Sequence, residues 1–331
     1  MGIAFIGIGA TLKINPGLTA GVIVSGAFCG SNISPLSGTT NLAASVGEIS
    51  IYKHIKSLLT TDIPAWAICL ILYTFLGLNS KNVSLGAVHQ MMAGLQNGFW
   101  ISGWALLPVL LLIVLAIFQV PAIPSLGLGS LFAVVLGWIH APKTSLTTIT
   151  NTIMTGYVSH TGDKTIDTLL SKGGISSMLT SLALIIFALA LGGLLIKFNI
   201  ISAIINHLTG IVKTPGRLTF ATALTCIGVN LLVGEHYLAI ILPGQSFLPS
   251  FDKLGLKRVD LTRILNDAGA AVNAIVPWSV SGVFIASTLQ INPLNFIPWA
   301  FFPFLVTILT IIAGMLVKVP VKSPAANLAT E

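Results

Sequence analysis

Three short runs carry the residue types that could do chemistry in this chain. The first, Arg263 to Gly282 (RILNDAGAAVNAIVPWSVSG), sets Asp267 beside Asn266 and follows it with Asn273, Pro277 and Ser279. A carboxylate, amide oxygens and an opened backbone are hard oxygen ligands, suited to sodium or to a proton-coupled polar substrate. Asp267 and Asn266 are therefore the candidate sodium ligands, with Asn273 completing the oxygen shell. The plainer role for Asp267 is a helix cap or a salt bridge to Arg263 one turn earlier. The second run, Ser25 to Ala44 (SGAFCGSNISPLSGTTNLAA), offers Ser34, Ser37, Thr39, Thr40 and Asn41 around Pro35, Gly30 and Gly38. Half-helix N-termini there could hold an anionic group such as a carboxylate through backbone N–H and dipole. Small hydroxyls also simply cement helix packing. The third is Glu235 with His236 behind Gly234, a pair that could titrate together in a proton relay or merely sit at an interface.

The elements that must position these groups are membrane helices. With 54% hydrophobic and 8% charged residues and a mean hydropathy of +0.95, the chain has too little charge to coat a soluble globule. Its apolar runs are long and continuous, which argues for helices and against a β-barrel. The net charge of +7 is spread through loops and forms no aromatic-interleaved patch, so it is no nucleic-acid signature. Cys29, Cys69 and Cys226 lie far apart in apolar context and read as buried small hydrophobes, not as a metal cluster or disulfide framework.

Plain spans are expected at 63–78, opened by Pro64 in its first turn, and at 104–118, 123–139, 178–196 and 297–317. Glu48 to Thr60 and Phe198 to Val212 have the pattern of amphipathic helices lying on the membrane. Ser80 to Gly98 reads as a loop with a surface helix. Arg217 to Val233 and Glu235 to Leu248 read as a helix pair or a hairpin, broken at Gly234 and again at Pro243 and Gly244. Met1 to Leu12 is short for a span, which needs about 20 residues, and reads as the end of a helix whose beginning is absent.

Both polar runs sit inside segments of spanning length, 17–46 and 260–289. Pro and Gly open the backbone there, and hydrocarbon cannot satisfy the freed groups, so each break must face protein or a water-filled cavity. If the first break crosses from outside to inside, the inner loops carry Lys53, Lys56, Lys197, Lys213, Arg217, Lys253, Lys257, Arg258, Arg263, Lys318 and Lys322. The outer side keeps Lys13, Lys81, Lys143, Lys164 and Lys172. That bias has the sense of the positive-inside rule. The second break then runs opposite to the first. The expected architecture is an all-α polytopic membrane protein, an inverted-repeat transporter with two discontinuous helices meeting near the midplane. Its first half would be 1–139, its second 175–317, with a polar connection at 140–174 and a disordered tail at 318–331.

The three motifs, GAFCGSNISPLSGTTNLA at Gly26 to Ala43, GEHYLAIILPG at Gly234 to Gly244 and RILNDAGAAVNAIVPWSVSG at Arg263 to Gly282, occur in the same order as in the NhaC-type sodium/proton antiporters of the ion-transporter superfamily, which the chain resembles. The resemblance implies two inverted halves with discontinuous helices and exchange of sodium for protons, or of one organic acid for another such as malate and lactate. It also implies further helices upstream of Met1. The family pattern commonly has an acidic residue where this chain has Ser31, another where it has Gly38, and a Glu where it has Asn266. Asp267 and Glu235 match.

The expected function is secondary active transport at the cell membrane, sodium/proton antiport by alternating access, with exchange of organic acids or amino acids as the alternative. An inactive fragment of a transporter is a further alternative. No cofactor is expected beyond sodium or a proton as coupling ion. The expected partners are the lipid bilayer, a small ion or small carboxylate substrate, and a second copy in a homodimer. An intramembrane enzyme is disfavoured, because the chain has no G-x-S-x-G and the reading finds no pair of intramembrane aspartates.

Overall fold

The structure is a computed structural model. It describes residues 2–78, 101–162, 170–200 and 214–316, with 119, 121, 143 and 172 excepted, and positions 92, 93, 96, 167 and 203 besides. The expectations for Ser80 to Gly98, for the amphipathic stretch ending at Val212 and for the tail at 318–331 lie almost wholly outside the described residues. Among the described residues every regular element is helical. Four helices are long and apolar enough to cross a membrane, or up to six if two bent pairs each count as one span.

The helices in chain order are α1 (Gly2–Thr11), α2 (Pro16–Asn32), α3 (Gly38–Val46), α4 (Ile51–Leu78), α5 (Leu107–Ile117), α6 (Ala122–His140), α7 (Leu146–Thr155), α8 (Ile175–Lys197), α9 (Pro215–Val233), α10 (His236–Lys253), α11 (Arg258–Ile264), α12 (Val280–Leu289), α13 (Pro293–Phe296) and α14 (Phe301–Met315). Between α11 and α12 the chain winds as a π-helix over Leu265–Ala270 and a 3-10 helix over Ala271–Ile275.

Two expected breaks are corrected: α10 runs unbroken from His236 to Lys253 through Pro243 and Gly244, and α4 runs unbroken through Pro64. Glu48 to Thr60 and Ile63 to Leu78 do not form a surface helix and a separate span; α4 runs unbroken from Ile51 to Leu78 with Pro64 inside it. Proline removes one i→i−4 bond, and a helix survives that when packing holds both sides. Here Leu58, Thr61, Asp62, Ala65 and Cys69 are buried at helical spacing through the proline. The cysteine reading also needs a correction, because Cys29 is only half-buried while Cys69 and Cys226 are buried.

Contacts divide the chain into two compact units, each built from interleaved segments. The first comprises Met1–Val24, Leu72–Ile186 and Val283–Ala300. In it the Tyr73 hydroxyl donates to the carbonyls of Trp299 at 2.6 Å and Gly21 at 3.3 Å. A Cβ at Gly21 would fall 2.5 Å from the Trp299 backbone, so only glycine allows that approach. The apolar side chains of α6, Leu126, Leu131 and Ile139 among them, remain exposed. Such a surface is suited to lipid.

The second unit comprises Ser25–Ile71, Phe187–Gly282 and Phe301–Glu331 and holds the principal core. Its centre is α9, started by Thr214 and Pro215 and stopped by Gly234 in the left-handed region at φ 75°. Pro at the first turn and Gly after the last are the ordinary punctuation of a helix. The α9 residues Leu218, Cys226 and Val229 and the α10 residues Ile240, Phe247 and Phe251 share one core. Lipid is as apolar as Leu, so burial alone does not bring such helices together; small residues and hydrogen bonds do. Accordingly a Cβ at Gly269 would stand 3.0 Å from the Ala239 carbonyl oxygen, and one at Gly244 2.3 Å from Val46.

Candidate functional site

Asp267 lies in the π-helical turn and is wholly buried. A π-turn widens the helix by one residue and often marks a functional position. The Thr61 hydroxyl of α4 donates to Asp267 Oδ2 at 2.9 Å, and Asn32 Nδ2, on the last residue of α2, stands 3.5 Å from Oδ1. The Thr307 hydroxyl of α14 donates to the Asp267 carbonyl oxygen at 2.9 Å. Three other segments thus fix this one residue. Asn266 is buried beside it in the chain, and among the described residues neither its amide nitrogen nor its amide oxygen has a partner.

Sequence reasoning missed two members of this cluster. Asp62 of α4 is 1% exposed, and its Oδ1 lies 3.5 Å from the same Asn32 Nδ2 that faces Asp267. The span expected at 63–78 begins one residue after Asp62 and so leaves it out; in the unbroken α4 Asp62 lies mid-helix, giving a pair of buried aspartates with Asp267. Asn32 was seen only as one polar residue of the first break. The signal for Asp62 is periodic: His54, Leu58, Thr61, Asp62, Ala65 and Cys69 fall on one helical face across Pro64.

The expected alternative of a salt bridge from Asp267 to Arg263 is not what the side chains make. Arg263 pairs with Asp260 at 3.1 Å and donates to the hydroxyls of Ser57 at 3.2 Å and Thr310 at 3.3 Å. Among the described residues neither Asp62 nor Asp267 is in an ion pair within 4.0 Å.

Asn273 and Ser279 belong to a different network, at the end of α9. Asn273 Nδ2 donates to Asn230 Oδ1 at 2.8 Å and to the Gly234 carbonyl at 3.1 Å, while its Oδ1 accepts from the Ser281 amide at 3.0 Å. Asn230 Nδ2 in turn donates to the Gly269 carbonyl at 2.7 Å. Ser279 donates to the Asn273 carbonyl and accepts from the Gly282 amide at 2.9 Å. The backbone opened by Pro277 is therefore satisfied by protein groups, as apolar surroundings require.

Glu235 is the N-cap of α10, where Oε2 accepts from the Leu238 amide at 2.8 Å; His236 Nδ1 is 3.8 Å from its other oxygen. In the first break the polar side chains close the connection between α2 and α3. Thr40 Oγ1 donates to the Ser31 and Asn32 carbonyls at 3.1 Å each, which finishes the open end of α2. Asn41 Nδ2 reaches the carbonyls of Pro35 at 2.7 Å and Ser37 at 2.9 Å. Ser37 Oγ lies 3.0 Å from Thr39 Oγ1, and Ser34 Oγ accepts from the Leu36 amide at 3.3 Å. Of the predicted residues, Asp267 lies at the carboxylate cluster, Asn266 is buried next to it in the chain, Thr40 adjoins the cluster through the Asn32 carbonyl, Glu235 caps α10, and the others stand in the two networks that shape the breaks.

Chemically, two buried carboxylates joined through the Asn32 amide, with the Thr61 hydroxyl on one of them, form an oxygen-rich cluster that makes no ion pair among the described residues. Uncompensated buried charge is costly, so such a cluster calls for a cation or a proton.

The profile of the Na+/H+ antiporter family matches residues 5–317. The Na(+)/H(+) antiporter NhaC of Bacillus subtilis (strain 168) is 37% identical over 320 residues, which cover 96% of this chain and 71% of that protein. The Na(+)/H(+) antiporter NhaC of Alkalihalophilus pseudofirmus is 37% identical over 316 residues, 96% of this chain and 68% of its own. The malate-2H(+)/Na(+)-lactate antiporter of Bacillus subtilis (strain 168) is 35% identical over 318 residues, 95% and 67% of the two chains. No solved structure matches.

Proposed function

Because the chain belongs to the Na+/H+ antiporter family, an integral membrane transporter family and not an enzyme family, we propose that it exchanges sodium for protons across the cell membrane by alternating access. Asp267 holds the sodium ion or the proton, one at a time, and Asn266 lends its amide oxygen to the ion. The observation that carries this reading is a fully buried carboxylate with no cationic side chain in ion-pair range among the described residues. A group so placed must be neutralised by something that comes and goes, and competition between two such ligands for one site is what couples their fluxes. The two breaks are the discontinuous helices of inverted halves, and the Ser37 to Asn41 turn forms the counter-site. Inverted repeats with a midplane site are a recurrent design of secondary transporters.

The test is transport by the purified chain in proteoliposomes carrying an internal pH dye. An inward proton gradient is expected to drive sodium out, and an imposed sodium gradient to move protons the other way. Absence of both fluxes from correctly folded protein would refute the reading. A second reading, exchange of small organic acids, is favoured by the 35% identity to a malate-2H(+)/Na(+)-lactate antiporter. Uptake of labelled malate or lactate that needs no sodium/proton exchange would select it.

A further inference from the structure

We propose that Asp62 is a second carboxylate ligand of the transported cation, so that a sodium-sized ion is held between α4 and the π-helical turn. The inference rests on the reading of Asp267 as an ion ligand and adds a residue to it. Asp62 is 1% exposed, and its Oδ2 is buried with no partner. Its Oδ1 and the Oδ1 of Asp267 each stand 3.5 Å from Asn32 Nδ2, so the two oxygens are no further apart than twice that distance.

A single neutral amide cannot balance two carboxylates taken out of water. Arg263, one turn before Asp267, is already engaged with Asp260, and Arg258 of the same unit with Glu48 and Asp252. The remaining donors, the Thr61 and Asn32 side chains, are neutral. Asn266, next to Asp267, adds a wholly buried amide with both atoms unpartnered. Buried unpaired oxygens on Asp62 and Asn266, with a second buried carboxylate that is in no ion pair among the described residues, are the conditions under which a dehydrated hard cation binds.

The test uses the full chain in detergent and in proteoliposomes, with sodium and lithium chlorides as probes against choline chloride. Asp62→Asn is expected to raise the half-saturating sodium concentration at least about tenfold and to abolish the sodium-induced rise in melting temperature. Asp62→Glu, which keeps the charge but moves the oxygens, is expected to shift the preference between sodium and lithium, and it carries the test if Asp62→Asn does not fold. Sodium binding and selectivity unchanged in these Asp62 variants, with Asp267→Asn unable to bind, would overturn the assignment of Asp62 and leave the Asp267 reading standing. Unchanged binding in Asp267→Asn as well would overturn the reading beneath it.

Discussion

Thr61 donates its hydroxyl to Asp267 across 2.9 Å, joining the middle of α4 to the π-helical turn at the bottom of the polar cluster. The Leu58 carbonyl of its own helix lies 3.0 Å from the same oxygen, a second acceptor for the one hydroxyl proton, which confines the side chain between the two. A carboxylate held by a hydroxyl that is itself anchored is preorganised, which is what a selective ion site needs.

Asn32 is the hinge of that arrangement, because its amide nitrogen faces both Asp62 and Asp267. Asn32→Ala is expected to destabilise the protein by about 1.5–3 kcal/mol, the range for a lost hydrogen bond to a charged group. Denaturant or thermal melting in detergent checks this. Sodium should restore part of the loss, since the ion substitutes for the missing donor.

Arg263 is kept off Asp267 by Asp260, whose carboxylate takes the guanidinium at 3.1 Å with little exposure on either side chain. Asp260→Ala leaves that cation buried and unpaired, a change that costs about 3–5 kcal/mol. With its partner gone, Arg263 is expected to turn to Asp267, which lies one turn on. Sodium-dependent exchange would then show a raised KM for sodium, and suppression by a second substitution, Arg263→Gln, would confirm the route.

Gly244 of α10 faces Val46 of α3 and Leu265 of the π-turn, where an added Cβ would lie 2.3 Å and 2.8 Å from their side chains. The stiff, β-branched valine cannot retreat as the leucine can. Gly244→Ala is expected to cost about 1–3 kcal/mol by overpacking. Melting measurements on Gly244→Ala with and without Val46→Ala check it, the second substitution restoring most of the loss.

Outside the helices long and apolar enough to span a membrane, Asp167 accepts from the Thr161 amide and hydroxyl at 2.7 Å each, from Ser159 Oγ at 2.8 Å and from the Gly162 amide at 3.2 Å. The backbone bond from Thr161, with the others, holds its carboxyl down at about 2. A depressed carboxylate contributes its stability above the ordinary carboxylate range and loses it as pH falls through the lowered value. Hydrogen-exchange protection of the Thr161 and Gly162 amides, corrected for intrinsic rates, is therefore expected to persist from neutral pH to about 4 and to vanish towards pH 2. Asp167→Asn should remove the protection at every pH.

Much of this was legible in the residues. Continuous apolar runs announced helices, Gly234 marked the end of α9, and an aspartate amid Asn, Gly and Pro drew attention to Asp267. What composition could not supply was α4. Pro64 reads as a helix start because its ring suits a first turn, and only tertiary packing carries the helix through it; with that cut, Asp62 fell at an apparent end and the second carboxylate was hidden. The partners of Asn273 were hidden for another reason. Nothing local distinguishes an amide that ligates an ion from one that satisfies the Gly234 carbonyl, since the choice is made by a contact between distant segments.

The most direct measurement is sodium-coupled proton flux in proteoliposomes containing Asp267→Asn, an isosteric change that removes one buried charge. The account predicts a protein that folds, as judged by melting and monodispersity in detergent, yet exchanges no sodium for protons. Sodium/proton exchange at the wild-type rate and sodium affinity would contradict it.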